Sequence, residues 1–298
     1  MLDARNSADY QHAVIEQAQD MIALAQSRHA DFLDDCLSDP GKIKRTWKND
    51  VTITYKHALL DDFQQHNDST IIDHGTDLLG LYIPALGPNE KHLITVQYRY
   101  GDFTPRRNFT LLHELGHYLQ WTDDNLANRI IATSTLNFNK RFEEDACNRF
   151  ASFALLPTHY VQKCTHGGVV DADLAARLYD EGRSKDPQNK HLIRVSRPVI
   201  ARRLAEFLDF TGTVALVTND KLTVRAHSNG QIDYDGELLS EERQLIDDLN
   251  ATRKSAMAGM LASPRGNNIF ASITTSYGRR GMRYRFIVLQ QVEKPLSE

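Results

Sequence analysis

The sequence predicts an α+β protein with three parts, and three observations support this fold class. Apolar residues recur with a helical period before residue 38 and again between residues 104 and 156, and short strand-like runs lie between these regions. A mixed pattern of strands and one helix fills the last third of the chain. The expected parts are residues 1–166, residues 167–210 with two short helices, and residues 211–298, a small α/β domain.

The amino-acid composition indicates a globular protein and gives no sign of a nucleic-acid-binding, disulfide-rich or membrane protein. Hydrophobic residues make up 41% of the 298 residues and charged residues 25%, which is typical of a globular protein with a sizeable core. A net charge of −4 gives no overall basic balance of the kind that indicates nucleic-acid binding. The three cysteines are too few and too irregularly spaced for a disulfide framework or a Cys-x-x-Cys metal site. With no apolar N-terminal stretch and no run of membrane-spanning length, we expect a cytoplasmic protein without membrane contact.

The first part begins with a predicted amphipathic helix over residues 8–37, which the sequence Asp-Pro-Gly at 39–41 ends. Strand-like runs follow at residues 51–55, 79–83 and 93–98. Thr104 reads as an N-cap before Pro105, so a helix is expected from there to about residue 120. The polar stretch 122–140 is expected to be a loop, and a second helix is predicted over residues 141–156.

The first of these two helices contains the pattern His-Glu-x-x-His within FTLLHELGHYLQW, residues 109–121. His113 and His117 are four residues apart and therefore share one helical face, so both imidazoles can bind one metal ion. Glu114 would then reach a water molecule beside the ion. On the motif alone, the alternative stays open that both histidines are ordinary residues of a helix that merely packs.

The second helix offers a third ligand, which a catalytic zinc site requires. Glu144 and Asn148 lie four residues apart, so Glu144 can bind the ion while Asn148 hydrogen-bonds to a ligand histidine. The alternative is that Glu143, Glu144 and Asp145 are solvated acids at a helix N-terminus, where acidic residues are favoured in any case. Their position after His-Glu-x-x-His favours the metal site.

The segment RNFTLLHELGH followed by EEDACNRFASFALLP resembles the ImmA/IrrE family of bacterial metallopeptidases. In that family the third ligand is the glutamate six residues before a phenylalanine, which corresponds here to Glu144 before Phe150. The resemblance covers about residues 80–160. It implies a zincin-like metallopeptidase domain with His113, His117 and Glu144 as metal ligands and Glu114 as the catalytic general base. The implied metal is Zn²⁺, with Mn²⁺ as the alternative.

The resemblance also implies a function. We expect a zinc-dependent endopeptidase whose protein substrate is a DNA-binding repressor of the helix-turn-helix XRE type, cleaved to derepress stress-response or mobile-element genes. One alternative is a metal-binding transcription regulator or sensor that does not cleave. Another is a toxin–antitoxin or phage-defence peptidase that acts on a neighbouring gene product. The predicted strand over residues 93–98, just before the motif, could be the sheet edge on which an extended peptide substrate lies.

The rest of the chain is less specific. Residues 167–210 resemble the helix-turn-helix-like region that follows the peptidase domain in this family. Arg197, Arg202 and Arg203 could contact nucleic acid, but the acidic overall charge favours a helical pair that packs on the catalytic domain with solvated arginines. In residues 211–298 we predict a helix at about 240–261 among strands, and some relatives carry a GAF-like sensory domain there. Cys147, near Glu144, is expected to be a buried packing residue rather than a redox switch.

Overall fold

The computed structural model describes residues 8–38, 40–56, 79–87, 89–97, 104–134, 139–165, 168–181, 195–262, 268–278 and 281–292. The chain falls into two compact units, one formed by Ala13–Pro157 and the other by the described residues from Thr158 onward together with residues 8–12. The three-part division at residues 166 and 210 stays a prediction. Within the described ranges, every helix is too short or too polar to cross a lipid bilayer.

The first unit combines helices with a small sheet. In chain order the elements are α1 (Ala8–Arg28), α2 (Phe32–Ser38), a 3-10 turn (Pro40–Lys42), α3 (Ile43–Thr46), β1 (Val51–Lys56), β2 (Gly80–Ile83), β3 (His92–Gln97), α4 (Thr104–Trp121), α5 (Asp124–Ser134) and α6 (Asn139–Leu155). The predicted helix over residues 8–37 is therefore two helices, and both helices predicted around the motif are confirmed within two residues at each end.

Helix α5 lies where a loop was expected, and that prediction is wrong. The carboxylate Oδ1 of Asp123 accepts hydrogen bonds from the backbone N–H groups of Asn125 and Leu126, each at 3.1 Å, and so caps the helix N-terminus. Leu126 and Ile130, four residues apart, bury the inner face of the helix. An N-cap residue followed by apolar residues at helical spacing was therefore present among the polar residues.

The sheet of the first unit has the order β1-β3-β2, with β1 parallel and β2 antiparallel to β3. Strand β3 is paired on both sides, so the expectation that it forms an edge for substrate is wrong. The strand at the edge next to α4 is β2. The backbone N–H of Gln97 donates to the carbonyl of Leu79 at 2.8 Å, which makes these two residues a hydrogen-bonded pair. Because such pairs alternate along an antiparallel ladder, the backbone polar groups of Gly80 and Tyr82 face away from β3.

Helices α4 and α6 pack closely where α4 carries Gly116. A Cβ atom at this position would lie 3.0 Å from both Cys147 Sγ and Met21 Cε, and 3.3 Å from Cys147 Cα. The close approach of the α6 backbone therefore explains the glycine at this position. Cys147 itself is fully buried, and burial raises the pKa of its thiol to about 11. It is thus a neutral, buried side chain, as expected of a packing residue.

The second unit is built on one antiparallel sheet. Its elements are α7 (Thr158–Thr165), α8 (Ala172–Glu181), α9 (Arg197–Ala205), β4 (Gly212–Thr218), β5 (Lys221–His227), β6 (Ile232–Tyr234), α10 (Ser240–Thr252), β7 (Ala256–Ala262), β8 (Asn268–Tyr277) and β9 (Arg283–Val292). The strand order is β6-β5-β4-β9-β8-β7. Helix α10 packs Leu245, Ile246 and Leu249 into a core with one face of this sheet. Helices α8 and α9 also pack against the sheet.

Strand β7 replaces the second half of the predicted helix over residues 240–261. Helix α10 ends at Thr252, and Arg253 takes a left-handed backbone conformation with φ of 56°, which stops the helix. The following AMAGMLA has the helix-favouring residues alanine and methionine but pairs along its length with β8. Tertiary pairing here overrides local propensity.

Two of the three α9 arginines, Arg197 and Arg203, are buried and not solvated as expected, whereas Arg202 is half-buried. The guanidinium group of Arg197 lies between the rings of Tyr179 and Tyr284, 3.6 Å and 3.8 Å from their centroids. Arg203 is 3% exposed and donates a hydrogen bond to Thr158 Oγ1 at 2.7 Å. Both groups serve packing within the second unit, because α8 and α9 cover its sheet.

Candidate metal site

Three side chains predicted to bind a metal lie together in the first unit. His113 Nε2 is 3.2 Å from His117 Nε2 and 3.2 Å from Glu144 Oε2. His117 Nε2 is 3.6 Å from Glu144 Oε1. Helix α4 supplies both imidazoles on one face, and α6, packed against α4, brings the carboxylate to them. These three residues form a group that could hold a metal ion.

The spacing of these atoms fits a zinc ion. Histidine and carboxylate ligands of zinc lie about 2.0–2.2 Å from the ion, so two ligands of a tetrahedral site are separated by roughly 3.3 Å. The three separations of 3.2, 3.2 and 3.6 Å agree with this value. Two neutral imidazoles and one carboxylate are also the donor set of a common class of catalytic zinc sites, which keeps a fourth position for water.

Each imidazole is oriented through its second nitrogen. His113 Nδ1 lies 3.1 Å from Asn148 Oδ1, so the ring donates Nδ1–H to the amide oxygen and leaves Nε2 facing His117 and Glu144. His117 Nδ1 lies 2.7 Å from Glu143 Oε1, an arrangement that has the same effect. The expectation for Asn148 is confirmed, whereas the interpretation of Glu143 as a solvated helix-end acid is wrong. The Glu143 side chain is 16% exposed.

Trp121 holds the Glu143 carboxylate in place. Its indole Nε1–H donates to Glu143 Oε1 at 2.8 Å, the same oxygen that faces His117. Trp121 closes helix α4 one turn after His117, so the two residues reach Glu143 from the same face of that helix. Sequence reasoning missed this group, although Trp121 and His117 show the four-residue spacing that would have indicated it.

Glu114 lies beside the three candidate ligands and is 8% exposed. Burial raises the pKa of its carboxyl group, nearby His113 and His117 lower it, the charge of Glu144 raises it, and a hydrogen bond from the backbone N–H of Tyr82 lowers it. The net pKa is above the ordinary value. A carboxylate with a raised pKa next to a metal site has the property that a general base needs, because its proton affinity is closer to neutral pH.

The edge strand β2 fits closely over Glu114 because residue 80 is glycine. A Cβ atom on Gly80 would lie 2.6 Å from Thr110 Cγ2 and 2.7 Å from Glu114 Cγ, and still closer to the Glu114 carboxylate. Any larger residue would push the strand away from α4. The strand thus combines a small residue against Glu114 with a backbone donor, from Tyr82, to the same side chain.

Comparison with known proteins agrees with this site. Residues 93–204 match the family model of the IrrE N-terminal-like domain, a peptidase family. The structure of a Mycobacterium tuberculosis transcriptional regulator resembles this chain with a TM-score of 0.50 and 12% sequence identity, over 96% of this chain and 94% of that one. At this identity the likeness concerns the fold alone. No curated protein sequence is significantly similar to the chain.

The matched stretch contains the whole site. It spans β3 and α4 to α9, and it includes both histidines, Glu114 and Glu144. The paired helix motifs that suggested the family therefore coincide with the part of the chain that its model recognises. The match over residues 93–204 supports the resemblance of this part of the chain to the ImmA/IrrE metallopeptidases.

Proposed function

We propose that this protein is a zinc-dependent endopeptidase and that Glu114 is its general base. The observation that carries the proposal is the convergence of His113, His117 and Glu144 at zinc-ligand spacing with the buried Glu114 carboxylate beside them. A site that only stabilised the fold would have no use for an additional carboxylate of raised pKa next to an open coordination position.

The chain's own residues have separate tasks in this reaction. When bound, the zinc ion supplies polarisation of the scissile carbonyl and acidifies a water molecule close to neutral pH. His113, His117 and Glu144 hold the ion, and Asn148 and Glu143 fix the two rings so that Nε2 faces it. Glu114 takes a proton from the attacking water at its carboxylate and then delivers it to the nitrogen of the leaving amine.

The substrate peptide is expected to lie along β2. The backbone groups of Gly80 and the carbonyl of Tyr82 face away from β3, and extended peptides commonly bind by adding a strand to a sheet edge. A peptide in this position would pass directly over Glu114, because Gly80 and the backbone N–H of Tyr82 both contact that side chain. β2 thus takes the role that the sequence had suggested for β3.

The proposed substrate is a helix-turn-helix repressor of the XRE type, whose cleavage would release a set of genes. This part of the proposal rests on the family and not on the geometry of the site. Direct binding of nucleic acid is not favoured, because Arg197 and Arg203 are both buried and engaged in packing.

The test is co-expression of the chain with the repressor-like protein encoded nearest to it. The expected result is a repressor fragment that disappears when a zinc chelator is added and when Glu114→Gln replaces the parent. Glu114→Gln should still bind one zinc per chain, whereas His113→Ala should lose both zinc and cleavage. Glu237→Gln, which removes the charge of an exposed carboxylate in the second unit, serves as the matched control and should cleave like the parent.

Two outcomes would contradict the proposal in different ways. Cleavage by Glu114→Gln at the parent's rate would remove the general-base role. Zinc bound at His113, His117 and Glu144 without any fragment would favour the alternative of a metal-binding regulator that does not cleave. A fragment from a different neighbouring protein would retain the peptidase and replace the repressor as its substrate.

A further inference from the structure

Among the residues that the structure describes, strand β7 leaves one edge of the six-stranded sheet open. It is the last strand in the order β6-β5-β4-β9-β8-β7, and its seven residues pair with β8 on one side only. Ala256, Ala258 and Gly259 are exposed, and Met260 is 55% exposed. An uncharged, seven-residue strand with an open edge is the type of element that pairs with another strand.

The direction of the backbone groups along β7 follows from one hydrogen bond. The backbone N–H of Thr275 donates to the carbonyl of Ser255 at 2.7 Å, so these two residues form a hydrogen-bonded pair of the antiparallel ladder. Residues 257, 259 and 261 therefore direct their backbone groups to β8, and residues 256, 258, 260 and 262 direct theirs outward. A row of backbone donors and acceptors lines the outer edge.

The opposite edge of the same sheet lacks these properties. Strand β6 has three residues and carries Asp233, which binds His227 at 2.9 Å and Arg225 at 3.3 Å. A short strand with a charged residue is one of the common ways to keep an edge from pairing. β7 has neither of these features, since AMAGMLA contains no charge and no proline.

We propose that β7 is a homodimer interface, in which two copies of the chain pair their β7 strands antiparallel about a twofold axis at Gly259. The outward-facing residues 256 and 258 lie as far before Gly259 as residues 262 and 260 lie after it, and pairing about a twofold axis at Gly259 requires this arrangement. In this register residue 258 faces residue 260 of the second copy, and residue 256 faces residue 262, so the outward backbone groups of both copies meet as hydrogen-bonded pairs.

The side chains allow this register. No like charges meet, because the strand has none, and Ala258 lies beside Met260 of the second copy on one face of the joined sheet. On the other face the two glycines at position 259 meet at the axis, and a Cβ placed there would have nothing within 4 Å in one copy. Met257 and Leu261 pack against the core under α10. The proposed interface therefore uses the outward backbone groups and the exposed side chains of β7 and none of the side chains that the core needs.

The register is tested by disulfide trapping with full-length protein. Residues 259 of the two copies would form a non-hydrogen-bonded pair with Cα atoms about 4.5 Å apart, within the range that a disulfide spans. Gly259→Cys should give a covalent dimer under mild oxidation. Mass spectrometry should show that the disulfide joins position 259 of the two copies. In Met257→Cys the two cysteines would be offset by four residues, roughly 13 Å along the strand, and should not cross-link.

Sedimentation gives a second readout without cysteines. The parent is expected to sediment as a dimer at micromolar concentration. Ala258→Pro should convert it to a folded monomer, because the lost N–H faces outward and the pairing with β8 stays intact. Tyr234→Lys, on the opposite edge strand, is the matched control and should remain dimeric. A monomeric parent, a dimer that persists in Ala258→Pro, or equal cross-linking of Met257→Cys and Gly259→Cys would overturn the proposal.

Discussion

Nδ1 of His117 lies 2.7 Å from Oε1 of Glu143, and the same oxygen accepts a hydrogen bond from Trp121 Nε1 at 2.8 Å. The Glu143 carboxylate therefore orients the ring of His117, and the indole of Trp121 fixes that carboxylate. Such partners of a metal-binding histidine fix its tautomer and its direction and make the ligand nitrogen more basic.

This relationship predicts the behaviour of Glu143 variants. Glu143→Ala should weaken zinc binding by about 10–100-fold, because His117 loses its orienting partner. Glu143→Gln should weaken it less, since the amide oxygen can still accept the hydrogen bond. Competition with a coloured zinc chelator measures both affinities. Asp124→Ala, which removes an exposed acid from the first turn of α5, should bind zinc like the parent. Parent-like affinity of Glu143→Ala would contradict the role assigned here.

The hydrogen bond between Asn148 and His113 predicts that Asn148 variants also weaken zinc binding. Asn148→Ala should lower zinc affinity by about 10–100-fold, and Asn148→Asp should recover most of the loss because it restores an oxygen acceptor for Nδ1–H. The measurement is the same zinc competition, together with the thermal midpoint of the metal-free protein. If Ala and Asp variants lost affinity equally, the hydrogen bond to His113 would not be the cause.

The close contact between Gly80 and Glu114 predicts that a larger residue at position 80 disturbs Glu114. In Gly80→Ala the added methyl group would lie within 2.7 Å of Thr110 and Glu114 atoms, so β2 must move away from α4. We expect the free energy of unfolding to fall by about 1–3 kcal/mol, together with a loss of cleavage. Chemical denaturation measures the first quantity.

Gly87→Ala is the matched control for this strand region, because a Cβ atom there meets nothing within 4 Å. Its stability should stay within about 0.5 kcal/mol of the parent and its activity should be unchanged. Equal effects of the two substitutions would show that the contact with Glu114 is unimportant.

The pKa of Glu114 predicts the pH dependence of cleavage. Burial raises this pKa above the ordinary value of 4.5, although the two histidines and the Tyr82 N–H oppose the shift. Glu114 must be deprotonated to accept a proton, so activity should be present above its raised pKa and should decline as the pH falls through it. The acid limb of kcat/KM against pH is therefore expected above pH 4.5. An acid limb at or below that pH would be inconsistent with a buried general base.

The candidate metal ligands could be brought together from the sequence because their arrangement depends on local geometry. His113 and His117 share a helical face by their spacing alone, and the motif around Glu144 on a second helix indicated which acid joins them. Asn148 followed from the same four-residue rule. The paired helices were also correct, since Thr104-Pro105 and Pro157 mark their ends clearly.

Other features depend on which elements pair, and the sequence does not encode that locally. The residues of LITVQY suit a central strand as well as an edge strand, so the sequence does not show which position the strand takes. The structure shows that β2, and not β3, is the edge strand beside Glu114. AMAGMLA reads as helix until its pairing with β8 is known. The acidic run 143–145 does not show which of its members faces His117, and only the packing of α6 on α4 places Glu143 there.

The most direct test of the central claim is X-ray absorption spectroscopy of the zinc-loaded protein. We expect one zinc per chain, with two imidazole nitrogens and with carboxylate and water oxygens at about 2.0–2.2 Å. Glu144→Ala should remove an oxygen ligand, and His113→Ala should abolish tight binding. A sulfur ligand near 2.3 Å, which would indicate Cys147 or another cysteine, or a ligand shell unchanged in Glu144→Ala, would contradict it.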